Sequence, residues 1–389
     1  MGLIYLDNNA TTRIDEQVLN SMLPFLRDNY GNASSLQHRM GREANNAVEH
    51  ARRQVASRLH VRENEIIFTS GATEGINMAL RGIAKAYVGQ GKHIITCTTE
   101  HRAVLSTCQN LEKQGFIVTY LPVDEAGNID LDVLRASITP ETILVSLMAA
   151  NNETGVLHPL ESIAQICQEK DVLFFCDATQ LVGKKEIDLQ RIPIDILALS
   201  AHKIHGPKGV GALFIRRKSK PIQIPALISG GSQEKGLRGG TLNVPSIVGL
   251  GKAIETAYLP SNIQEYRDYI EEQVALRVPE IQVHSKEVPR LGNTSNIAFR
   301  HIKSAEIMSE LPDIVLSAGS ACASGLLDPS HVLKAMHLSD ADAFSSIRIG
   351  LSRYTERKEI EQATEMLIQA VETIRARSPI WQLYLDGSL

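Results

Sequence analysis

The sequence predicts a two-domain α/β protein whose larger domain is built on a mainly parallel sheet covered on both faces by helices. Three observations carry this expectation. Between about residues 66 and 215, short apolar runs alternate with amphipathic ones; several of those runs end in polar residues; and 389 residues exceed what one hydrophobic core usually holds.

Taken in order, EIIFTS is followed by GINMALRGIAKAY, HIITC by AVLSTCQNLEK, and TILVSLMA by PLESIAQICQEK, while VLFFCDA, DILALSA and GALFIRR complete the series. Short β-rich runs separated by helical ones form a parallel sheet, because each crossover must lay a helix on the sheet. Around Pro221 to Pro245 the pattern gives way to Gly, Ser and Pro. Beyond it the spacing predicts a helix over 360–374, with apolar residues at 360, 363, 367, 370, 371 and 374 in one stripe. The division falls near Gly251. It gives a large domain over 16–250 and a smaller C-terminal domain over 251–389, against which residues 1–15 pack. No repeat at solenoid periods interrupts this order.

Composition narrows the function. With 43% hydrophobic and 22% charged residues the chain has the make-up of a globular protein, and a net charge of -4 gives no electrostatic reason to expect a nucleic-acid or acidic-membrane partner. A small-molecule partner is expected instead. No apolar run approaches the ~18 residues of a spanning helix. The start, MGLIYLDNNATT, lacks a basic, signal-like region, and Leu6 stands where a myristoylation pattern needs Ser or Thr. A cytoplasmic protein is expected. The five cysteines, Cys97, Cys108, Cys167, Cys176 and Cys322, are odd in number and include no C-x-x-C pair. That argues against a disulfide framework and against a zinc site, so reduced thiols and no metal are expected.

Two glycine-containing stretches carry phosphate-like signals. Gly91-Lys92 fails as a Walker loop, since Ala86 and His93 occupy the positions of its first glycine and its Ser/Thr. Ser70-Gly71-Ala72-Thr73-Glu74-Gly75 follows a strand and opens a helix. On its own it reads first as a helix start capped by Ser70 or Thr73, and second as a phosphate cradle of free N–H groups.

Three strand-like runs finish in polar residues: Asn151 and Asn152 in one, Asp177 and Gln180 in the next, and Ser200, His202 and Lys203 in the third. Carboxyl ends of parallel strands line the ligand crevice of an open sheet, so these side chains should converge. Singly, Asp177 reads as a turn residue and Lys203 as a solvated lysine. Together with a phosphate cradle they match the needs of pyridoxal phosphate: an amine for its aldehyde and an acid to keep its ring nitrogen protonated. His101, after HIITC, is placed either against the ring to move protons or as a helix-entry histidine bonded to a backbone carbonyl.

At this point a resemblance becomes specific. D-N-N-A-T-T at Asp7, S-G-A-T-E-G at Ser70, T-E-H ending at His101, N-N-E-T-G at Asn151, D-A-T-Q at Asp177, S-A-H-K-I-H-G-P-K-G at Ser200, G-L-R-G-G-T at Gly236 and S-A-G-S-A-C-A-S at Ser317 occur in this order. I-R-I-G-L-S-R-Y-T and S-P-I-W-Q-L-Y follow near the end. The set resembles the NifS/IscS-like cysteine desulfurases, a class-V aminotransferase group among the fold-type I pyridoxal-phosphate enzymes. The resemblance implies a seven-stranded, mainly parallel sheet with a smaller α+β C-terminal domain. It also implies pyridoxal 5′-phosphate as cofactor, a homodimer, and conversion of L-cysteine to L-alanine. The sulfur would pass through an enzyme persulfide to acceptor proteins, an iron–sulfur scaffold or a tRNA-thiolation relay.

Residue by residue, the resemblance implies that Lys203 carries the cofactor, Asp177 pairs with its ring nitrogen, Gln180 bonds its ring oxygen and His101 stacks on the ring. Ala72, Thr73, Ser200 and His202 would hold the phosphate, with Thr241 reaching across from a second subunit. Asn152 and Arg348 would take the substrate carboxylate, Arg348 through its two-pronged guanidinium, with Arg353 as the competing arginine. Cys322 would be the sulfur-accepting nucleophile. It sits among Gly, Ser and Ala in a segment over about 317–332, a composition that predicts a flexible loop able to reach both cofactor and acceptor.

Departures are small. Ala318, Ala323 and the Gly239-Gly240 pair replace commoner residues, and the short stretch after Trp381 leaves little of the tail with which bacterial relatives engage a scaffold. Competing expectations are a selenocysteine lyase or another fold-type I aminotransferase using the same lysine and aspartate, and a non-catalytic docking module.

Overall fold

The computed structural model describes residues 2–318 and 328–388. After a short strand, β1 (Ile4–Tyr5), the chain builds one seven-stranded sheet from β2 (Ile66–Thr69), β3 (His93–Cys97), β4 (Ile117–Leu121), β5 (Thr142–Ser146), β6 (Leu173–Asp177), β7 (Ile196–Ser200) and β8 (Gly211–Ile215). Their order is β2-β8-β7-β6-β5-β3-β4. Strands β3 to β7 are parallel, and β8 alone runs antiparallel to both its neighbours. The expected α/β class and sheet are borne out. Strands β3, β5 and β7 are buried at every residue, which is why they read as unbroken apolar runs. The run-by-run sequence reading does not name β4. It is an edge strand with Ile117 exposed and Thr119 in its middle, so it carries no continuous apolar signal.

Helices cover the sheet where the amphipathic runs fall. Helix Ala72–Tyr87 lays Ile76, Met78, Ala79, Leu80 and Ile83 into a buried cluster with Leu144, Phe175 and Leu213 of the sheet. Two helices of the N-terminal third, Glu16–Arg27 and Arg39–Arg58, pack on the later helix Val244–Glu255.

The second unit is a four-stranded antiparallel sheet, ordered β12-β13-β10-β9, from β9 (Ile281–Val283), β10 (Thr294–Phe299), β12 (Ser317–Ala318) and β13 (Ser346–Gly350). Strand β11 (Ile314–Val315) instead pairs parallel with β1. Helices Ile263–Arg277 and Arg357–Arg377 pack together on this unit, and all six stripe positions, from Ile360 to Ile374, are buried. Ile4 and Leu6 are buried in the same cluster, so the first strand is part of this smaller core. Along the chain, Ala257 packs with the large cluster and Ile263 with the small one, while Leu291 and the run from Val332 to Ala343 pack back on the large cluster. We propose the domain division between Ala257 and Ile263, a few residues past Gly251.

One close approach ties the sheet to the helix that opens after β2. A Cβ on Gly211 would lie 2.4 Å from the Leu199 carbonyl oxygen and 2.8 Å from Cα of Gly71, both backbone atoms that cannot yield. Gly211→Ala is therefore expected to lower the unfolding free energy by about 1–3 kcal/mol, the usual cost of forced overpacking. Urea unfolding of the cofactor-free protein measures it, and an unchanged midpoint would contradict the close packing.

Candidate active site

The carboxyl ends of the parallel strands open onto one cavity of about 650 Å³. Ala72, Thr73, His101, Asn152, Asp177, Gln180, Ser200, His202, Lys203 and Arg348 all line it. Two expected residues are not among them. Thr241 is exposed and lies outside this cavity, and Cys322 lies outside the described residues.

At one end of the cavity stands the start of helix Ala72–Tyr87. Its N-cap is Gly71, with φ 152°, and among the described residues no side chain caps it. The capped-start reading of Ser70 and Thr73 is thereby corrected. The Ser70 backbone N–H donates to the Glu74 carboxylate (2.8 Å), which also holds Arg238 (3.0 Å). Ala72 and Thr73 occupy the first turn of an uncapped helix that opens onto the cavity, beside Ser200 and His202, and uncapped N–H groups at such a positive end suit an anion.

Lys203 ends the short 3₁₀ turn that follows β7. Its Nζ donates to two main-chain carbonyls, Asn9 (2.7 Å) and Ala10 (2.6 Å). Desolvation and then the nearby Arg348 cation lower its pKa to about 8, while Asp177 and Asp7 pull the other way. An amine so placed is partly uncharged near neutrality and able to attack a carbonyl carbon. His101 caps helix Arg102–Glu112: its Nδ1 accepts the Ala103 N–H (3.1 Å), which leaves the neutral ring's proton on Nε2. Desolvation lowers its pKa, and Asp177 opposes this. His101 is thus a helix-entry residue, bonded to an N–H rather than to a carbonyl, and also lines the cavity.

Asp177 accepts the Thr179 N–H (3.0 Å). Gln180 donates through Nε2 to the Asn9 carbonyl (2.9 Å). Arg348 pairs with Asp7 (2.7 Å) and donates to the Asn152 carbonyl (3.1 Å), while its buried Nε has no partner among the described residues. Arg353, the competing arginine, does not line the cavity; it pairs with Asp15 and bonds the Thr256 carbonyl.

The sequence placed residues 1–15 against the smaller domain and gave them no part in the site, yet Asn9, Ala10 and Thr11 line the cavity, as do Lys208 and Gly209. It also passed over Glu100. That side chain is buried, accepts the Met148 N–H (2.5 Å) through Oε1, and has no partner on Oε2 among the described residues. Desolvation, then the charge of Asp177, raise its pKa well above the usual carboxylate range. The signal was present, since Glu100 is the middle residue of T-E-H.

The donor set fits the cofactor expected from sequence: an amine on a lysine, an aspartate at a neighbouring strand end, and an uncapped helix start with Ser200 and His202, around a cavity of the size small-molecule cofactors occupy. The family described as "Aminotransferase class-V" matches residues 4–363. The chain belongs to that family. Among class-V relatives, "Cysteine desulfurase IscS" of Anaeromyxobacter sp. (strain Fw109-5) is 43% identical over 99% of this chain and 96% of its own length. A solved "NifS-like protein" is 37% identical with a TM-score of 0.87, covering 95% of this chain and 100% of that one. A solved "SspA in complex with cysteine" is also 37% identical, with a TM-score of 0.82 over 91% and 100% of the two chains. This class-V chain is accordingly a cysteine desulfurase by its relatives. Among the described residues, no cluster of His, Cys, Asp and Glu is arranged to hold a metal, and no helix is long and apolar enough to cross a membrane.

A pH prediction follows from Lys203. The folded, cofactor-free chain releases this proton near pH 8 and the unfolded chain near the ordinary lysine value of about 10.4, so between them the unfolded state binds more protons and stability rises with pH. In Lys203→Met that gain is absent. Urea unfolding at several pH values should show wild type gaining on the variant from about pH 8 upward, and parallel profiles would contradict the desolvated site.

Proposed function

We propose that the protein uses pyridoxal 5′-phosphate to convert L-cysteine to L-alanine, takes the sulfur on Cys322 as a persulfide, and hands it to acceptor proteins. The observation that carries this reading is the meeting of Lys203, Asp177, His101 and Arg348 in one cavity beneath an uncapped helix start. Ala72, Thr73, Ser200 and His202 would hold the cofactor phosphate, Asp177 its ring nitrogen, Gln180 its ring oxygen, and Lys203 its aldehyde carbon. Bound there, the cofactor supplies an electron sink that makes the substrate Cα–H acidic.

The remaining work falls to the chain's own residues. Arg348 and Asn152 orient the substrate carboxylate. Lys203, with its pKa near 8, exchanges protons at Cα, and His101, its proton on Nε2, serves the substrate amine and thiol. The Cys322 thiolate attacks the substrate sulfur: the new S–S bond forms, the C–S bond breaks, and its electron pair goes to carbon, which takes a proton to become the methyl of alanine. No outside oxidant or reductant is needed. Position supports Cys322, because the described residues on either side of it are anchored to Arg348 of the cavity wall or to the immediate neighbours of Asn152 and His101. Ser317 of β12 pairs with Arg348 of β13, Ser330 donates to Glu153 (2.5 Å), and His331 Nε2 bonds the Glu100 carbonyl (2.9 Å).

A homodimer fits Thr241, which is exposed at the end of G-L-R-G-G-T and would complete the phosphate site of a second copy. Acceptors would be an iron–sulfur scaffold or a tRNA-thiolation relay, in the cytoplasm.

The test is mass spectrometry after exposure to L-cysteine, alongside assays of alanine and sulfur transfer. Wild type should gain one sulfur on the peptide holding Cys322. Cys322→Ala should keep the cofactor's visible absorbance yet lose sulfur transfer, and Lys203→Ala should lose the lysine-linked visible band. Full sulfur transfer by Cys322→Ala would remove that residue from the mechanism.

A further inference from the structure

Lys184 is a second lysine at this site with no role in the chemistry above. It lies in the turn after Asp177, half-buried, four residues beyond Gln180. Gly183 brings it there. With φ +80°, Gly183 takes a left-handed backbone, and a Cβ on it would meet Ile204 Cγ2 at 2.6 Å and Ala257 Cβ at 2.9 Å. The turn is thus pressed against the segment after Lys203, and the next side chain folds back under Gln180. Among the described residues no carboxylate pairs with Lys184. Its Nζ instead donates to Gln180 Oε1 at 2.6 Å.

That contact fixes the amide. An ammonium has donors only, so the atom facing it must be the carbonyl oxygen of Gln180. The NH₂ is then turned the other way, where Nε2 donates to the Asn9 carbonyl (2.9 Å), the acceptor that also takes Lys203 Nζ (2.7 Å). Without Lys184, Oε1 loses its charged donor, and the Asn9 carbonyl alone is left to hold the amide in place. The groups around Lys184 give it no anionic alternative: Lys203, Arg348 and His205 are its electrostatic neighbours, and Arg353 and Tyr258 share the small cavity it lines.

We propose that Lys184 is a positioning residue of the active site: its ammonium holds Oε1 of Gln180, so that the amide N–H group stays turned toward Asn9 and the cofactor cavity. This rests on the cofactor reading above, in which Gln180 bonds the ring oxygen. Lys184 touches neither cofactor nor substrate in this scheme and acts through Gln180 alone. Desolvation, followed by the charges of Lys203 and Arg348, lowers its own pKa to about 7, the cost of keeping an amine where only an amide oxygen receives it.

The test compares wild type, Lys184→Met, Gln180→Leu and the double variant. Each is titrated with pyridoxal 5′-phosphate, and the pH midpoint of the bound cofactor's visible band is recorded. An N–H bonded to the ring oxygen favours its deprotonated form, so losing it raises the midpoint. Lys184→Met should weaken cofactor binding by about tenfold and raise the midpoint by about half a unit. Gln180→Leu should do the same, and the double variant should be no worse than the weaker single one, because both act through one bond. Losses that multiply in the double variant would overturn the proposal, as would an unchanged Lys184→Met. Met keeps most of the apolar length of this half-buried lysine, so Lys184→Met is expected to fold. Should Lys184→Met not fold, Lys184→Gln decides: its amide can donate the same bond without charge, so affinity should stay within about twofold of wild type, and a tenfold loss would sink the idea. Absence of any visible band in wild type would take down the cofactor reading and this inference together; a normal wild-type band untouched by Lys184→Met takes down the inference alone.

Discussion

Asn9 is the staple on which the site depends. Its side-chain amide reaches Thr294 (2.9 Å) in the small unit and the Asn152 carbonyl (3.2 Å) in the large one, while its own carbonyl receives both Lys203 and Gln180. One residue of the N-terminal segment therefore fixes the spacing between units and aims two side chains of the cavity wall. The segment is held in turn by β1 in the small core and by Asp7 against Arg348. The arrangement places strong donors on main-chain acceptors that cannot rotate away, in surroundings where leaving them unmade is costly.

The electrostatics follow from that confinement. Lys203, Lys184 and Arg348 are gathered where desolvation disfavours charge, and the two lysines respond by becoming weaker bases. On the acidic side, Glu100 sits near Asp177 with one oxygen unpartnered among the described residues, and burial, then the charge of that neighbour, raise its pKa well above the usual carboxylate range. The resulting pattern suits a ligand with an anionic phosphate at one pole and a protonated ring nitrogen at the other.

Much of this was legible in the sequence. The strand ends at Asp177, Ser200 and Lys203 announced themselves because parallel strands point their polar termini at one crevice, and the order of the motifs from Asp7 to the C-terminal region carried the family. What escaped reading had physical reasons. The edge strand at Ile117 lacks a continuous apolar run because one face meets solvent. Asn9 acts largely through its main-chain carbonyl, which no residue type advertises, and it meets Lys203 across most of the large domain's sequence. Lys184 looks like any surface lysine until Gly183 turns it inward. Ser70 and Thr73 read as caps because capping is the usual use of such residues, whereas here Gly71 leaves the helix start uncapped.

The buried cysteines have a practical bearing. Cys97, Cys108, Cys167 and Cys176 are all sealed in the interior, and burial pushes the first three up to about 11, 12 and 12 and the last well above the ordinary thiol value. A mild alkylating reagent near neutrality finds almost no thiolate on any of them while the chain stays folded. Native-state alkylation thus starts from a blank background, and whatever label the intact protein takes up can be assigned to position 322 without removing a single other cysteine.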